Sequence, residues 1–229
     1  MITRNVLKEK KAKPPRVPDI DKVIVQDVPA FIAKMKTRDR YYVPTMVALF
    51  TGMRLGEVLA LRWGCVDLGR NIIKVHENLE CTKAHGIRFK SPKTKAGRRE
   101  VTLPDIVVDA LRNDRKAQLE LRLKLGAGKL QDDDLLFTDI EGAPLHPYHF
   151  GTNWSECAVR LCFPGVTFHA LRHTNASQLI DAGVDIVTIS KRLGHSKPDI
   201  TLRSYAHPFR KDDGKAAAAI NAALQTITV

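Results

Sequence analysis

An α+β fold, mostly helical with a small antiparallel sheet, follows from three features of this 229-residue chain. Apolar residues recur at three- and four-residue spacing up to Trp63 and again after Pro104, which is the helical period. Between them, from Asn71, short β-branched runs alternate with Gly, Lys and Pro, as strands and turns do. A chain of this length with 44% hydrophobic residues can bury one good core.

The elements follow in order. Residues 1–18 carry Lys and Arg runs, the adjacent Pro14 and Pro15 and little apolar content, which fits a basic linker lying along a phosphate backbone as well as it fits a solvated tail. "DVPAFIAKMKTR" and "YYVPTMVALFTG" read as packed helices, and "LGEVLALRW" continues with Leu55, Val58, Leu59 and Leu61 on one face. "NIIKVHENLE", "GIRFKS" and "RREVTLP" read as an antiparallel meander. Helix resumes with "DIVVDALRNDRKAQLELRLKL". "QDDDLLFTDIEGAPLHPYHF" reads as a loop with one short apolar run, and the remainder as helical to about Leu202. Residues 211–229, alanine-rich, read as a helical tail. The body of one domain is then 19–210.

Charge narrows the partners. Lys and Arg number 37 against 25 Asp and Glu, a net charge of +12, and such an excess attracts polyanions, nucleic acid or acidic membrane. There is no run of about 18 apolar residues, and the N-terminus lacks the apolar middle of a secretion signal, so a soluble intracellular protein is expected. Cys65, Cys81, Cys157 and Cys162 have no C-x-x-C spacing; reduced thiols are expected, with no disulfide and no zinc.

Four places can carry chemistry, and each also has a purely structural reading. Arg54 stands at a helix start with Glu57 three residues on, within reach for an ion pair. "KSPKTKAGRRE" is a basic turn between strands, a solvated hairpin tip unless Lys93 is held firmly at the strand end. His169, Arg172 and His173 share one helix face where the pattern asks for core, and ionisable groups away from water need a partner, here an anion. Gly194 is placed as the residue that ends a helix, so His195 leaves at a fixed angle, and Tyr205 follows ten residues later.

Phosphoryl transfer needs this set. Fixed donors must meet the charge on the non-bridging oxygens, and the leaving oxygen must receive a proton. Two arginines suit the oxygens, because each planar fork matches phosphate and stays charged. Histidine and lysine suit the proton transfers. Tyrosine serves as nucleophile when cations stabilise its phenolate. Arg54, Lys93, His169, Arg172, His195 and Tyr205 supply these groups without metal or cofactor. Two other readings stand beside it. "FHALRHTNASQLIDAG" with "VDIVTISKRLG" also looks like a helix-turn-helix, a DNA-binding module without catalysis, although Val184, Ile186 and Val187 stand where a recognition helix offers polar groups. "QDDD" at Asp132 to Asp134 suggests a metal nuclease, although neighbouring carboxylates in a flexible run point apart.

"TGMRLGEVLAL", "HALRHTNASQLIDAGVDIVTISKRLGHS" and "TLRSYAH", in this order, resemble the tyrosine recombinases, the phage and bacterial integrase family, over about residues 19–210. The H-x-x-R box, the L-G-H turn and the tyrosine beyond it are specific in combination. The resemblance implies that family's catalytic-domain fold and a site-specific recombinase. Arg54 and Arg172 would clamp the scissile phosphate, His169 act as general acid/base and His195 hydrogen-bond the phosphate. Lys93 would protonate the departing 5′ oxygen, with Lys95 as its rival, and Tyr205 would form a 3′-phosphotyrosine. His173 would be structural. The resemblance further implies double-stranded DNA as partner, a homotetramer on synapsed DNA with a monomer as the alternative for free protein, and a cytoplasmic, nucleoid-associated place in a bacterial, phage or mobile-element host. Residues 1–18 would be a linker or the remnant of a missing core-binding domain, and the tail would pack on a neighbouring protomer or on its own body.

Overall fold

The computed structural model describes residues 23–92, 95–202 and 221. The basic stretch 1–18, the alanine-rich tail (Asn221 apart), Lys93 and Tyr205 lie outside the described residues.

Three helices lead. α1 (Val28–Met35) starts where the Asp27 carboxylate accepts the Ala30 N–H and Pro29 stands in the first turn. α2 (Asp39–Thr51) tolerates Pro44 in its interior and ends at Gly52, whose φ of 68° is the left-handed cap that favours glycine. α3 (Leu55–Leu59) is short, and Val58 and Leu59 on it are fully buried.

The sheet region differs from the expected meander. β1 (Val66–Asp67), β2 (Ile72–Val75) and β5 (Arg99–Thr102) form one antiparallel sheet in the order β1-β2-β5, while β3 (Asn78–Thr82) and β4 (Gly86–Lys90) form a separate hairpin. "NIIKVHENLE" therefore splits at His76 and Glu77, and β2 pairs with β5, Ile73 opposite Val101, instead of with its neighbour in sequence. Each run does form strand, but the pairing is not the sequential one. Ile73, Val75 and Val101 face the core.

Helices then close the molecule. α4 (Asp105–Leu125) buries its first half, Val107, Val108 and Leu111, and leaves Leu121, Leu123 and Leu125 exposed near its end. The loop after it ends at His146, sooner than expected, because Pro147 opens α5 (Pro147–Arg160) and the His146 ring nitrogen accepts the His149 N–H. α6 (Phe168–Asp181) and α7 (Ile186–Leu193) follow, capped at their starts by Thr167 and Asp185.

α2 runs through the middle, touching α1, α3, α4 and α6. Trp154, fully buried, packs between Phe31 and Phe168 with centroids 6.1 and 5.3 Å away, and its indole N–H donates to Thr45 Oγ1 on α2. Ala176, Ile180, Ile189 and Leu193 make a smaller cluster that seats α7 on α6. Of the three apolar residues expected to be buried there, Val184 and Ile186 are partly covered and Val187 is exposed. Among the described residues no helix is long and apolar enough to cross a membrane, and the four cysteines are free thiols.

Candidate active site

The link between α2 and α3 places the first arginine. Arg54 is the N-cap of α3, and Glu57 one turn on accepts both its backbone N–H at 2.9 Å and its Nη1 at 3.0 Å. The expected Arg54–Glu57 pair is thus present. Its two members differ in setting: the Arg54 side chain is 43% exposed and that of Glu57 only 5%.

Glu57 can be buried because a second cation meets it. Arg99 on β5 donates from Nη2 to Glu57 Oε2 at 2.9 Å and from Nη1 to Oε1 at 3.2 Å. Burial pushes the Glu57 carboxyl up, but the hydrogen bonds and charge of Arg99, with the N–H and guanidinium of Arg54, outweigh it and hold it below its ordinary range.

α6 presents the second group. Thr167 accepts the Ala170 N–H and fixes the start of the helix, so His169 lies in the first turn and Arg172 one turn further. Arg172 is buried, His173 half-buried and His169 exposed, so only one of the three occupies the core position expected for all. The rings of His169 and His173 meet edge to face at 4.7 Å. Arg172 Nη1 donates to Gly52 O at 2.6 Å and to Leu193 O at 2.8 Å, and its Nη2 lies 2.6 Å from His195 Nε2. One guanidinium therefore joins the end of α2, two residues before Arg54, to the end of α7.

At that end, Gly194 adopts φ 69° and the His195 N–H bonds back to Ser190 O, as a helix terminated by glycine requires. Arginine has no acceptor, so in this contact the Arg172 guanidinium is the donor and His195 Nε2 the acceptor. Nδ1 lies 2.7 Å from Oγ1 of the fully buried Thr201, within hydrogen-bond distance. The imidazole is thus held from both sides.

Two further contacts tighten the frame. Arg192 donates to Phe50 O at 2.7 Å and Thr102 O at 3.1 Å, tying α7 to α2 and β5. Gly52 must lack a side chain, since a Cβ there would run into Leu193 Cδ2 and Asn175 Oδ1. Beside His169, a cleft of about 670 Å³ opens between α5 and the start of α6, lined by Tyr148, Gly151, Val159 and Phe168 among others, with Leu55 of α3 at its wall.

The structure brings Arg172 and His195 into contact and connects them to the Arg54 turn through Gly52. His169 stands on the same helix as Arg172 and borders the same cleft as Leu55. Lys93 and Tyr205 are not among the described residues, and Lys95 is described only as the start of the 3-10 turn Lys95–Gly97 before β5. Arg99, Arg192 and Thr201 were not anticipated. For Arg99 a signal existed: it alternates with Val101 and Leu103, which places it on the inward face of the strand.

The acidic loop has no such convergence. Asp133 lies 3.4 Å from Arg62, while Asp134 accepts the Gln131 N–H and pairs with Arg122 at 3.3 Å. Among the described residues no three His, Cys, Asp or Glu are placed to hold a metal ion.

Chemically, a guanidinium half open to solvent, a second one buried behind an imidazole, and an exposed histidine on the same helix can together receive an oxyanion and exchange protons with it. Comparison with known proteins agrees in kind. A model described as the phage integrase family matches residues 22–212. A tyrosine recombinase XerC-like protein of Caldanaerobacter subterraneus subsp. tengcongensis is 30% identical over 77% of this chain and 48% of its own length. The integrase of Staphylococcus phage L54a is 29% identical over 73% of this chain and 48% of its own. The chain therefore spans about half the length of these curated relatives. A structure of the Tn1549 transposon integrase in complex with a circular intermediate DNA superposes with a TM-score of 0.72 at 23% identity, over 90% of this chain and 67% of that one.

Proposed function

The chain belongs to the phage integrase family, and on that premise we propose that it cuts and rejoins DNA at specific sites through a covalent phosphotyrosine. The observation that carries this reading is the Arg172 guanidinium, buried and yet joined at once to His195 and to the turn that presents Arg54. The DNA complex of the Tn1549 integrase supports duplex DNA as the substrate class.

In this mechanism Arg54 and Arg172 grip the non-bridging oxygens of one phosphodiester. His195, turned from Arg172 toward the phosphate, donates a further hydrogen bond from its ring N–H. The Tyr205 oxygen attacks phosphorus in line, and its proton passes to His169. The bond from phosphorus to the 5′ oxygen breaks, and that oxygen takes a proton from Lys93, or from Lys95 if the turn presents it instead. A 3′-phosphotyrosine and a free 5′ hydroxyl remain. The phosphoester linkage is conserved, so attack by a 5′ hydroxyl of a partner strand restores the backbone without ATP. Residues 19–210 act as the catalytic domain, in a homotetramer on synapsed DNA.

The test is the Tyr205→Phe variant with a nicked duplex carrying the attachment sequence taken from the genomic junction. Wild type forms a protease-sensitive covalent adduct; Tyr205→Phe binds the duplex and forms none. Tight binding with no adduct from wild type at any pH marks a DNA-binding module instead, and an undiminished adduct from Tyr205→Phe dismisses the assigned nucleophile.

A further inference from the structure

Arg99 spends its guanidinium on contacts that all lead to the site. Nη1 and Nη2 hold both oxygens of Glu57, which in turn holds Arg54. Nε donates to Arg192 O at 2.6 Å, in the last turn of α7, three residues before His195. Nη1 also donates to Gly97 O at 3.3 Å, at the end of the turn on which Lys95 stands. Its side chain is 6% exposed, so it offers nothing to a phosphate from solution. The backbone around it is adapted to its presence. A Cβ at Gly194 would lie 2.6 Å from Arg99 Nη1 and 3.1 Å from Ala96 O, so the helix end that launches His195 closes directly over the guanidinium.

A buried ion pair seldom adds net stability over apolar residues of similar volume, so stability alone is a poor reason for an arginine here. Its fork geometry is a better one, because a single planar group fixes two backbone segments and a carboxylate relative to one another. We propose that Arg99 is a positioning residue of this site, holding the Arg54 helix, the lysine turn and the His195 helix end in register and so setting the rate of strand cleavage without touching DNA. The inference rests on the strand-cleavage reading above. It assigns Arg99 no contact with phosphate and no proton transfer. Misplacing a catalytic group by about 1 Å can cost about 100-fold in rate, which makes a remote clamp visible in kinetics.

The experiment is single-turnover adduct formation by the full chain on the nicked attachment duplex, with protein in excess over a range of concentrations. This separates the saturating rate from the half-saturating concentration. Arg99→Met lowers the saturating rate by about 10-fold or more and leaves the half-saturating concentration nearly unchanged. Arg99→Lys, which keeps the charge opposite Glu57 and loses the fork to Arg192 O and Gly97 O, recovers part of the rate. A surface control, Arg112→Met, reacts like wild type. Should Arg99→Met fold and cleave at the wild-type rate per folded molecule, or weaken binding alone, the positioning role is refuted. If Arg99→Met does not fold, a folded Arg99→Lys with the full wild-type rate refutes it equally. Absence of adduct with wild type sinks the cleavage reading itself, and this role with it.

Discussion

Replacing Glu57 with Gln isolates the electrostatic centre of the site while keeping its shape. The amide retains one acceptor and turns an NH2 toward the guanidinium of Arg99, whose side chain is 6% exposed. Breaking a buried pair by removing one partner costs about 3 to 5 kcal/mol, because the remaining charge stays buried without compensation. The Arg54 side chain is 43% exposed and its share is screened by water, below about 1 kcal/mol. We therefore expect a loss of about 3 to 4 kcal/mol near pH 7.5. Urea denaturation followed by the fluorescence of the buried Trp63 and Trp154 measures it, with an unchanged slope. The pH dependence has a definite sign. The folded carboxyl lies below its ordinary range, so its contribution is fully present above the unfolded carboxylate value and is lost as pH falls through the folded one. The gap between wild type and Glu57→Gln should therefore narrow on acidification. A difference under about 1 kcal/mol at pH 7.5, or a gap that widens as pH falls, refutes the reasoning.

Other expectations follow from single observations. Burial pushes the Asp114 carboxyl up to about 6 against the opposing hydrogen bond from Gln118, so the folded state binds this proton more tightly and stability falls as pH rises from about 4 through 6. Asp114→Asn should stabilise the fold by about 1 to 2 kcal/mol at pH 7.5, after discounting for partial exposure, and raise the melting temperature by a few degrees, with no gain at pH 4. Gly194→Ala places a Cβ against Arg99 and forces φ 69° on a residue that disfavours it, for a loss of about 2 to 4 kcal/mol; under about 1 in urea denaturation means that the helix end gives way easily. If the domain meets about 6 to 10 phosphates, affinity for a labelled duplex should fall by about 10³ to 10⁵ between 50 and 200 mM salt, and a flat response in fluorescence anisotropy points to another partner.

What the sequence disclosed is what is local along the chain. Gly194 as a helix end, Arg54 beside Glu57, and His169 with Arg172 on one helix all depend on spacings of a few residues, and each is found as expected. Burial along α6 was misjudged for a related reason: helical spacing says that His169 and Arg172 are neighbours, but not that the helix start leaves the first open to the cleft while the second reaches under Gly52. Pairings across the chain left weaker traces. β2 pairs with β5, with the β3–β4 hairpin between them in sequence, which the composition of the runs does not encode. Arg99 stood in a run of basic residues that reads as solvated, and only its phase with Val101 and Leu103 distinguished it from Arg98. Thr201 carries no pattern at all, since its role depends on a histidine ring six residues away folding back onto it.

The central claim is that a phenol oxygen of this chain becomes bonded to a phosphorus atom gripped by Arg54 and Arg172. Digesting the trapped protein–DNA product formed in excess chelator with protease and nuclease, then sequencing the nucleotide-bearing peptide by mass spectrometry, addresses it directly. With trypsin as the protease, the account predicts one modified peptide, residues 204–210, with the 3′-phosphonucleotide on Tyr205. A nucleotide carried by any other residue, or strand cleavage with no nucleotide on the protein, contradicts it.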